Sequence, residues 1–512
     1  MSSANRPLIE ARRTPSIDPT FSPTLSLVVV SISMLVFAGL TVWLAASLNI
    51  WQDEWYSLRT TSRDLGFAWT TALRFEGIPP LYPVILDLWR HGNSSVLFAR
   101  LLSILCVAAT AFVGWRFARR NLPRVPPAAV AAAIAFNPFS IFAAVEIRLY
   151  AMALLLSAAV IAAFFTAFVE PAPKGRDRVF FAIVATLAVY VQYFNAALLL
   201  GGFVALALIG RWRSLRAYAV TLVLVVGACS PIAFFITEQL GVPRSLDTLR
   251  LDLAPLFETA FSFAFPHEAL VNWFSDRRNV LYDAGVALVV ASIAVGHVRL
   301  TTVARATLGF IAAAIAFFPV ATIVLHQTFV YPRHAVILLV PMLLFVFAIL
   351  DGLTRRRTFA LCLYVGVYAA CTTTALVVTY SGLAKPGDFG RAASFISEHV
   401  RHHERVYAFD QEMVGPLEFY YTGPSVLVPL PEPQRFDRFD AERFRFHSAS
   451  DVRARLGSIA QGTHVLLYRG DVCFDPADQY GCRFLEDVVR QDYRTIASLE
   501  LVSANIRELV RL

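Results

Sequence analysis

Residues 26–54 read SLVVVSISMLVFAGLTVWLAASLNIWQDE, and this stretch decides the class of protein. The run 26–50 carries no charge and is long enough to cross a bilayer, which takes about 20 mostly apolar residues. It is also longer than the apolar core of a cleavable signal peptide, about 7–15 residues, so we expect it to remain as an anchor. Two adjacent carboxylates, Asp53 and Glu54, follow immediately after this span.

The composition of the whole chain supports a membrane protein. The 512 residues are 57% hydrophobic and 16% charged, with a mean hydropathy of +0.58, whereas a soluble domain is about 25% charged. The net charge of +8 comes from arginines in short clusters between apolar runs. This placement favours determinants of membrane topology over a nucleic-acid-binding surface, so no nucleic-acid partner is expected.

Apolar runs predict eleven membrane spans, with an uncharged stretch split near Tyr193 into two short helices. The predicted spans are 26–50, 96–118, 126–145, 149–169, 179–194, 196–210, 217–237, 282–298, 306–325, 334–350 and 358–380. An odd number of spans places the two ends of the chain on opposite sides of the membrane.

The basic residues agree with this count, because every cluster falls on one side. The clusters are Arg6, Arg12 and Arg13; Arg119, Arg120 and Arg124; Lys174, Arg176 and Arg178; Arg211, Arg213 and Arg216; Arg299 and Arg305; and Arg355, Arg356 and Arg357. Basic loops are retained in the cytoplasm. We therefore expect segment 1–25 to be cytoplasmic, 26–380 to form the membrane module, and 381–512 to be extracytoplasmic.

Three groups of polar residues lie at the predicted outer face. The first outer loop, 51–95, carries Asp53, Glu54 and Glu76, and then Pro79-Pro80-Leu81-Tyr82. Glu146-Ile147-Arg148-Leu149-Tyr150 lies between two spans, and Tyr331-Pro332-Arg333-His334 precedes a late span. Each group alone also has a structural explanation: an interfacial charge pair, a snorkelling ion pair, or an arginine at lipid headgroups.

In their order and spacing these motifs resemble the GT-C glycosyltransferases. The similarity spans roughly residues 25–350. The branch with the greatest resemblance is the protein O-mannosyltransferase group, which includes transferases that add aminoarabinose or other sugars to bacterial lipid A and surface glycans. The resemblance implies a bacterial cytoplasmic-membrane enzyme. It would take a sugar from a polyprenyl-phosphate carrier and transfer it, outside the cytoplasm, to a hydroxyl of a lipid, glycan or protein.

The resemblance also implies roles for particular residues. Asp53 matches the family's catalytic base and Glu54 its partner, while Arg148 and Arg333 match arginines that face the carrier phosphate. The remaining candidates are Glu76, Tyr82, Glu146, Tyr150, Gln192, Tyr193, Tyr331 and His334. The sequence departs from the family pattern where Gln192-Tyr193 replaces a common His-Tyr pair, and where Gly77 and Ile78 separate Glu76 from the two prolines. A divalent metal is possible beside such acids.

The chemistry itself accounts for these residue types. An alcohol that attacks a sugar C1 needs a base to accept its proton, and arginine forks stabilise the charge that builds on the departing phosphate. A single base implies displacement with inversion. No nucleotide-binding glycine motif is found. The alternatives are a transporter or flippase of lipid-linked glycans, which usually shows internal repeats that we do not find, and a non-catalytic assembly factor.

The tail, 381–512, is predicted to be a small α/β domain. An amphipathic helix is expected at 387–402, strands at 406–409, 425–430 and 464–468, and helices near 412–421, 450–460 and 482–492. Asp388, Asp410, Glu412 and Asp471 are candidates for acceptor contacts, although most such acids are simply solvated. Cys473 and Cys482 could form a disulfide in an oxidising compartment. We expect the tail to cap the site or to help select the acceptor.

Overall fold

The computed structural model describes residues 23–239, 253–266, 280–325, 332–400, 404–437, 440–474 and 478–512. A helix occupies each of the eleven predicted spans. The membrane helices are α1 (Pro23–Ser47), α5 (Val96–Asn121), α6 (Pro127–Phe136) with α7 (Pro138–Ala144), α8 (Tyr150–Phe164), α9 (Gly175–Val191), α10 (Asn195–Leu208), α11 (Trp212–Gln239), α13 (Val280–Val295), α14 (Thr302–Leu325), α15 (Leu339–Asp351) and α16 (Arg357–Tyr380). Seven spans among the described residues are long and apolar enough to cross a membrane, or eight if the bent α6–α7 pair counts as one. The predicted polytopic helical fold is therefore confirmed, with α9, α10 and α13 as its shorter members.

The span predicted at 126–145 is bent by 61° between α6 and α7. The break lies at Asn137, since a residue before proline is disfavoured in the α conformation. Asn137 Oδ1 accepts the amide of Phe139 and so caps α7, and its Nδ2 donates to Phe263 O (3.1 Å) and Tyr368 Oη (2.9 Å). The polar groups freed by the break are thus satisfied inside the bundle, as the membrane interior requires.

The predicted first outer loop contains three short helices between α1 and α5. These are α2 (Gln52–Thr60), α3 (Leu65–Thr71), which continues into a π-helical turn at Ala72–Glu76, and α4 (Leu81–Arg90). Asp64 caps α3 by accepting the amide of Phe67. A further helix, α12 (Ala254–Ala264), packs against the bundle.

The basic clusters that are described lie together at one end of the bundle. Arg120 pairs with Glu170 (2.6 Å), and the amide of Arg124 donates to Asp351 Oδ1 (2.8 Å). Contacts between Ser214 and Phe168, and between Arg299 and Gly352, join the remaining loops of this end. The clusters thus share one face, as the count of spans predicts.

The tail forms a five-stranded sheet between two layers of helices. Its strands are β1 (Arg405–Phe409), β2 (Leu427–Leu430), β3 (His464–Arg469), β4 (Tyr493–Leu501) and β5 (Ala504–Arg511), in the order β2-β1-β3-β5-β4. β1 is parallel to β2 and β3, and β5 is antiparallel to β3 and β4. One face packs on α17 (Phe389–His399) and α18 (Val414–Tyr420), and the other on α19 (Ala449–Leu456) and α20 (Cys482–Asp492).

This architecture confirms the predicted small C-terminal α/β unit. The three predicted strands and the helices are present within a few residues of the expected bounds. The β4–β5 hairpin was not predicted from the sequence. A disulfide joins Cys473 to Cys482, the first residue of α20. The sequence alone left open whether these two cysteines are bonded or free.

Candidate active site

Asp53 lies in the first turn of α2, at the end of the bundle opposite the basic clusters. Arg148 and Arg333 approach the same carboxylate oxygen: Arg333 Nη1 is 3.3 Å and Arg148 Nε 3.6 Å from Asp53 Oδ2. The Asp53 side chain is 15% exposed and that of Arg333 is 33% exposed. Three residues that are far apart in the sequence, all predicted site residues, are therefore in contact and open to a ligand.

Glu76 completes this group from the π-helical turn. Its Oε2 lies 2.6 Å from Arg148 Nη1, and its side chain is nearly buried. Thr60 donates a hydrogen bond to the other Glu76 oxygen. Arg148 Nη1 also reaches Asp53 O and Ser57 Oγ, each at 3.3 Å. Arg148 is therefore fixed between two carboxylates, while Arg333 contacts Asp53 alone among these acids.

Glu54 points away from this group, into the protein. Successive helical residues are rotated by about 100°, and Glu54 is fully buried. Arg100 binds its carboxylate with two hydrogen bonds, Nε to Oε1 at 2.8 Å and Nη2 to Oε2 at 2.7 Å. The amide of Ile147 donates to Oε1 at 3.1 Å and Lys385 Nζ to Oε2 at 2.8 Å. Every direction from which this carboxylate can accept is thus occupied by protein.

Glu146 shares the lysine that binds Glu54. Lys385 Nζ is 2.9 Å from Glu146 Oε1, and the indole of Trp51 donates to the other oxygen. Burial raises the pKa of Glu146 to about 7, and the neighbouring Glu54 also raises it, while Lys385 opposes the shift. The Glu146 backbone carbonyl accepts from Ser103 Oγ at 2.6 Å. Glu146 therefore belongs to a buried charge cluster and not to the exposed Asp53 group.

The other predicted residues lie in several places. Tyr82 is buried and interacts electrostatically with Arg148, and Tyr150 does so with Arg333 and Asp53. The His334 ring lies 4.6 Å from that of Phe194, which brings the turn containing Gln192 and Tyr193 beside the Arg333 segment. Gln192 is buried. Tyr331 lies outside the described residues.

Sequence reasoning missed two buried cations, Arg100 and Lys385. Arg100 lies near the start of the span 96–118 and is followed by uncharged residues up to Arg116, and Lys385 is one of only two lysines in the chain. An isolated cation in an apolar run is a signal of a buried partner, and that signal was available for Arg100. Nothing in the sequence shows that Lys385 enters the membrane module.

The tail also contacts α2 directly. Glu412, which follows β1, accepts hydrogen bonds from Gln52 and from Tyr56 Oη, and Tyr420 Oη accepts the amide of Ile50 at 2.7 Å. Phe436 packs on Trp55 and Phe75. Of the tail acids proposed for acceptor contacts, Glu412 is thus engaged with the membrane module. Asp388 pairs with Arg391 at 3.1 Å, and the Asp471 side chain lies outside the described residues.

The exposed group has a clear chemical capacity. It presents one carboxylate able to accept a proton, together with one fixed and one more exposed guanidinium able to bind a phosphate bidentately. Among the described residues, no set of three or more His, Cys, Asp or Glu side chains is arranged to hold a metal ion.

Comparison of the whole fold with solved structures gives matches over nearly the full length. The crystal structure of ArnT from Cupriavidus metallidurans bound to undecaprenyl phosphate aligns with a TM-score of 0.53 and 14% identity, covering 95% of this chain and 98% of that one. The same protein in the apo state gives a TM-score of 0.51 and 13% identity, covering 93% and 97%. The chain has the fold of ArnT. No protein-family model and no curated protein sequence matches it.

The ArnT fold includes both the membrane helices and the C-terminal sheet, because the alignment spans almost all of both chains. The predicted architecture, a polytopic helical bundle with a small C-terminal α/β domain, is thereby confirmed. At 14% identity the similarity concerns the fold, and the chemistry must be argued from the residues of this chain.

Proposed function

We propose that this protein is an inverting glycosyltransferase that moves a sugar from a polyprenyl phosphate to a hydroxyl of a lipid, glycan or protein. The observation that carries the proposal is the contact of Asp53 with Arg148 and Arg333 at one end of the bundle. Its fold is that of ArnT, a protein whose crystal structure contains undecaprenyl phosphate. The proposed site is extracytoplasmic, where it would meet a carrier anchored in the bilayer.

Asp53 is the proposed base because it is the carboxylate that a ligand can reach. Its side chain is 15% exposed, whereas Glu54 is fully enclosed by two cations and a backbone amide. Glu76 is almost buried and is bonded to both Thr60 and Arg148. We therefore assign Glu54 and Glu76 to holding the site, and Asp53 to accepting the proton of the attacking hydroxyl.

Asp53 faces two arginines, which both approach one oxygen of its carboxylate and leave that oxygen less accessible to the attacking hydroxyl. We propose that the donor phosphate relieves this by competing for Arg333, the more exposed of the two. Arg148 would stay in place, since Glu76 also holds it. The phosphate would thus be bound, and the base released, in the same step. As the C1–O bond to the phosphate breaks, the guanidinium groups stabilise the charge that develops on the phosphate oxygens.

The test is a transfer assay with purified wild type, Asp53→Asn and Asp64→Asn. Each protein is incubated with a labelled polyprenyl-phosphate sugar and a membrane lipid or glycan extract. Asp64 is the matched control, because an asparagine there still caps α3. Loss of a general base costs about 10²–10⁴-fold in rate, so we expect Asp53→Asn to lose at least ~100-fold in turnover while still binding the donor.

Three other outcomes would redirect the proposal. Full activity in Asp53→Asn would exclude Asp53 as the base. Wild-type protein that binds the donor, never cleaves it and instead moves it across vesicles would favour the flippase. Protein that neither cleaves nor moves the donor would favour the assembly factor.

A further inference from the structure

The buried cluster beside the proposed site is built from four charged side chains of different parts of the chain. Glu54 belongs to α2, Arg100 to α5, Glu146 to the turn before α8, and Lys385 to the segment that leads into the tail. All four are at least nine-tenths buried. With both carboxylates ionised, the two carboxylates and two cations sum to zero, so removing Lys385 leaves a net negative charge unless Glu146 takes up a proton.

Lys385 makes three contacts with the membrane module, and no other described residue of the tail makes them. Its Nζ bonds Glu54 Oε2 (2.8 Å), Glu146 Oε1 (2.9 Å) and Val145 O (2.8 Å). Its backbone amide donates to Asn49 Oδ1 at 2.7 Å. The lysine therefore joins the end of α1, the start of α2 and the turn 145–149 at a single point.

Both acids that Lys385 binds are close in sequence to residues of the exposed group. Glu54 directly follows Asp53, and Glu146 precedes Arg148 by two positions. The side chains of Glu54 and Glu146 therefore hold the backbone next to Asp53 and next to Arg148, whose Oδ2 and Nε atoms are 3.6 Å apart. The amide of Ile147 also donates to Glu54, so the two segments are linked by one continuous network.

We propose that Lys385 is a positioning residue through which the C-terminal domain fixes the Asp53–Arg148 geometry. This inference rests on the proposed function and assigns the tail a task in the reaction besides contact with an acceptor. Without the lysine, Glu54 and Glu146 place two buried negative charges against Arg100 alone, and one carboxylate must move, take up a proton or admit water. In each case the bonds by which Lys385 links the segments of Asp53 and Arg148 are lost. These segments are then held less firmly, and a misplacement of about 1 Å can cost ~100-fold in rate.

The experiment compares Lys385→Met, the double variant Lys385→Met/Glu146→Gln, and Lys174→Met as the control. Methionine keeps the length of the lysine side chain without its charge. The second substitution restores neutrality and leaves an amide oxygen for the Trp51 indole. Lys174, the only other lysine, is exposed at the far end of the bundle.

We expect Lys385→Met to reduce kcat ~100-fold with a donor KM within about 3-fold of wild type, and the double variant to regain at least 10-fold of that loss. Lys174→Met should match wild type. A purely packing role predicts full activity in Lys385→Met and no gain from the second substitution. Wild-type kcat in Lys385→Met, or a double variant no better than the single one, would overturn the proposal.

Hydrogen exchange separates this inference from the proposed function. Peptides covering 50–60 and 145–150 should exchange faster in Lys385→Met and return towards wild-type rates in the double variant. If wild type transfers no sugar, the proposed reaction fails and the exchange pattern alone decides whether Lys385 fixes these segments. Unchanged exchange in Lys385→Met would then refute the positioning role as well.

Discussion

Two adjacent carboxylates of this protein have opposite environments. Asp53 is partly exposed between two guanidinium groups, while Glu54, the next residue, is enclosed by Arg100 and Lys385. The turn of α2 produces this difference, because neighbouring side chains of a helix leave it about 100° apart. In the proposed reaction, this acidic pair therefore supplies one group for chemistry and one that anchors the helix carrying both.

The two arginines at Asp53 should respond differently to lysine. Arg148 uses its fork to contact Asp53 and Glu76 together, so Arg148→Lys keeps the charge but loses one contact. We expect kcat to fall ~100-fold, by the same geometric argument, with little change in donor affinity. Arg333→Lys should instead weaken donor binding about 10-fold, as for one lost charge-assisted hydrogen bond.

Donor binding and single-turnover transfer measured on each variant check this division. Arg213→Lys, exposed at the opposite end of the bundle, is the control. Equal effects of both substitutions on binding and on turnover would contradict the proposal that the donor phosphate takes Arg333 from Asp53 while Arg148 stays in place.

At the scale of elements, α2 is held on several sides. Arg90 of α4 donates to Leu58 O (2.9 Å) and Thr61 O (2.8 Å) at its C-terminal end. Arg59 lies over the Phe436 ring of the tail, 3.7 Å from the centroid. A short helix of nine residues would be marginal alone. Its position, and with it that of Asp53, therefore depends on tertiary contacts from α4 and from the tail.

Gly415 of α18 brings the backbone of the tail close to α2, because it lies against the Trp55 ring. A Cβ at this position would overlap that ring. We expect Gly415→Ala to destabilise the docking of the tail by about 1–3 kcal/mol, the usual cost of overpacking. Limited proteolysis of the tail in increasing urea measures this change.

Trp55→Phe provides the double-mutant test, since a smaller ring should recover part of the loss when combined with Gly415→Ala. Gly390→Ala is the control in the same domain, because a Cβ there meets Tyr420 at an ordinary 4.0 Å. Strictly additive effects of Gly415→Ala and Trp55→Phe would show that the two residues do not meet in the folded protein.

The features that could be predicted from the sequence are those that depend on local periodicity and on the placement of charged residues. Apolar runs located the membrane helices that the structure describes, and the resemblance of the sequence motifs to a known family singled out Asp53, Arg148 and Arg333, which the fold brings together. The sequence could not show that Glu54 faces inward, because that depends on which side of α2 receives Arg100 and Lys385. Lys385 is separated from Glu54 by most of the chain, and no local pattern encodes such a contact.

Other differences have equally physical origins. The bend at Asn137 follows from Pro138 and from the buried partners Phe263 and Tyr368, which lie far away in the sequence. The β4–β5 hairpin was missed because β4 is largely exposed along its length and lacks the apolar runs used to recognise the other strands. In both cases the decisive interaction is tertiary.

At the scale of the molecule, charge is segregated between the two ends of the bundle. The described basic clusters are joined at one end by contacts such as Arg120–Glu170 and Arg124–Asp351, while Asp53, Lys385 and the tail lie at the other. Positively charged loops are retained in the cytoplasm. We therefore propose that the site and the tail with its disulfide lie on the outside, where a lipid-linked sugar would be used.

Single cysteines introduced into a variant without the four free cysteines, Cys106, Cys229, Cys362 and Cys371, test this orientation. Ser450→Cys lies at the surface of the tail, and Arg176→Cys lies at the exposed start of α9, in one of the basic clusters. In intact cells, a membrane-impermeant maleimide should label position 450 and not position 176, and permeabilised cells should label both. The helices between positions 176 and 450 place these two positions on opposite sides of the membrane. The reverse labelling pattern would therefore place the tail, and Asp53 with it, in the cytoplasm. It would then require a donor on that side and would contradict the extracytoplasmic transfer reaction proposed for this protein.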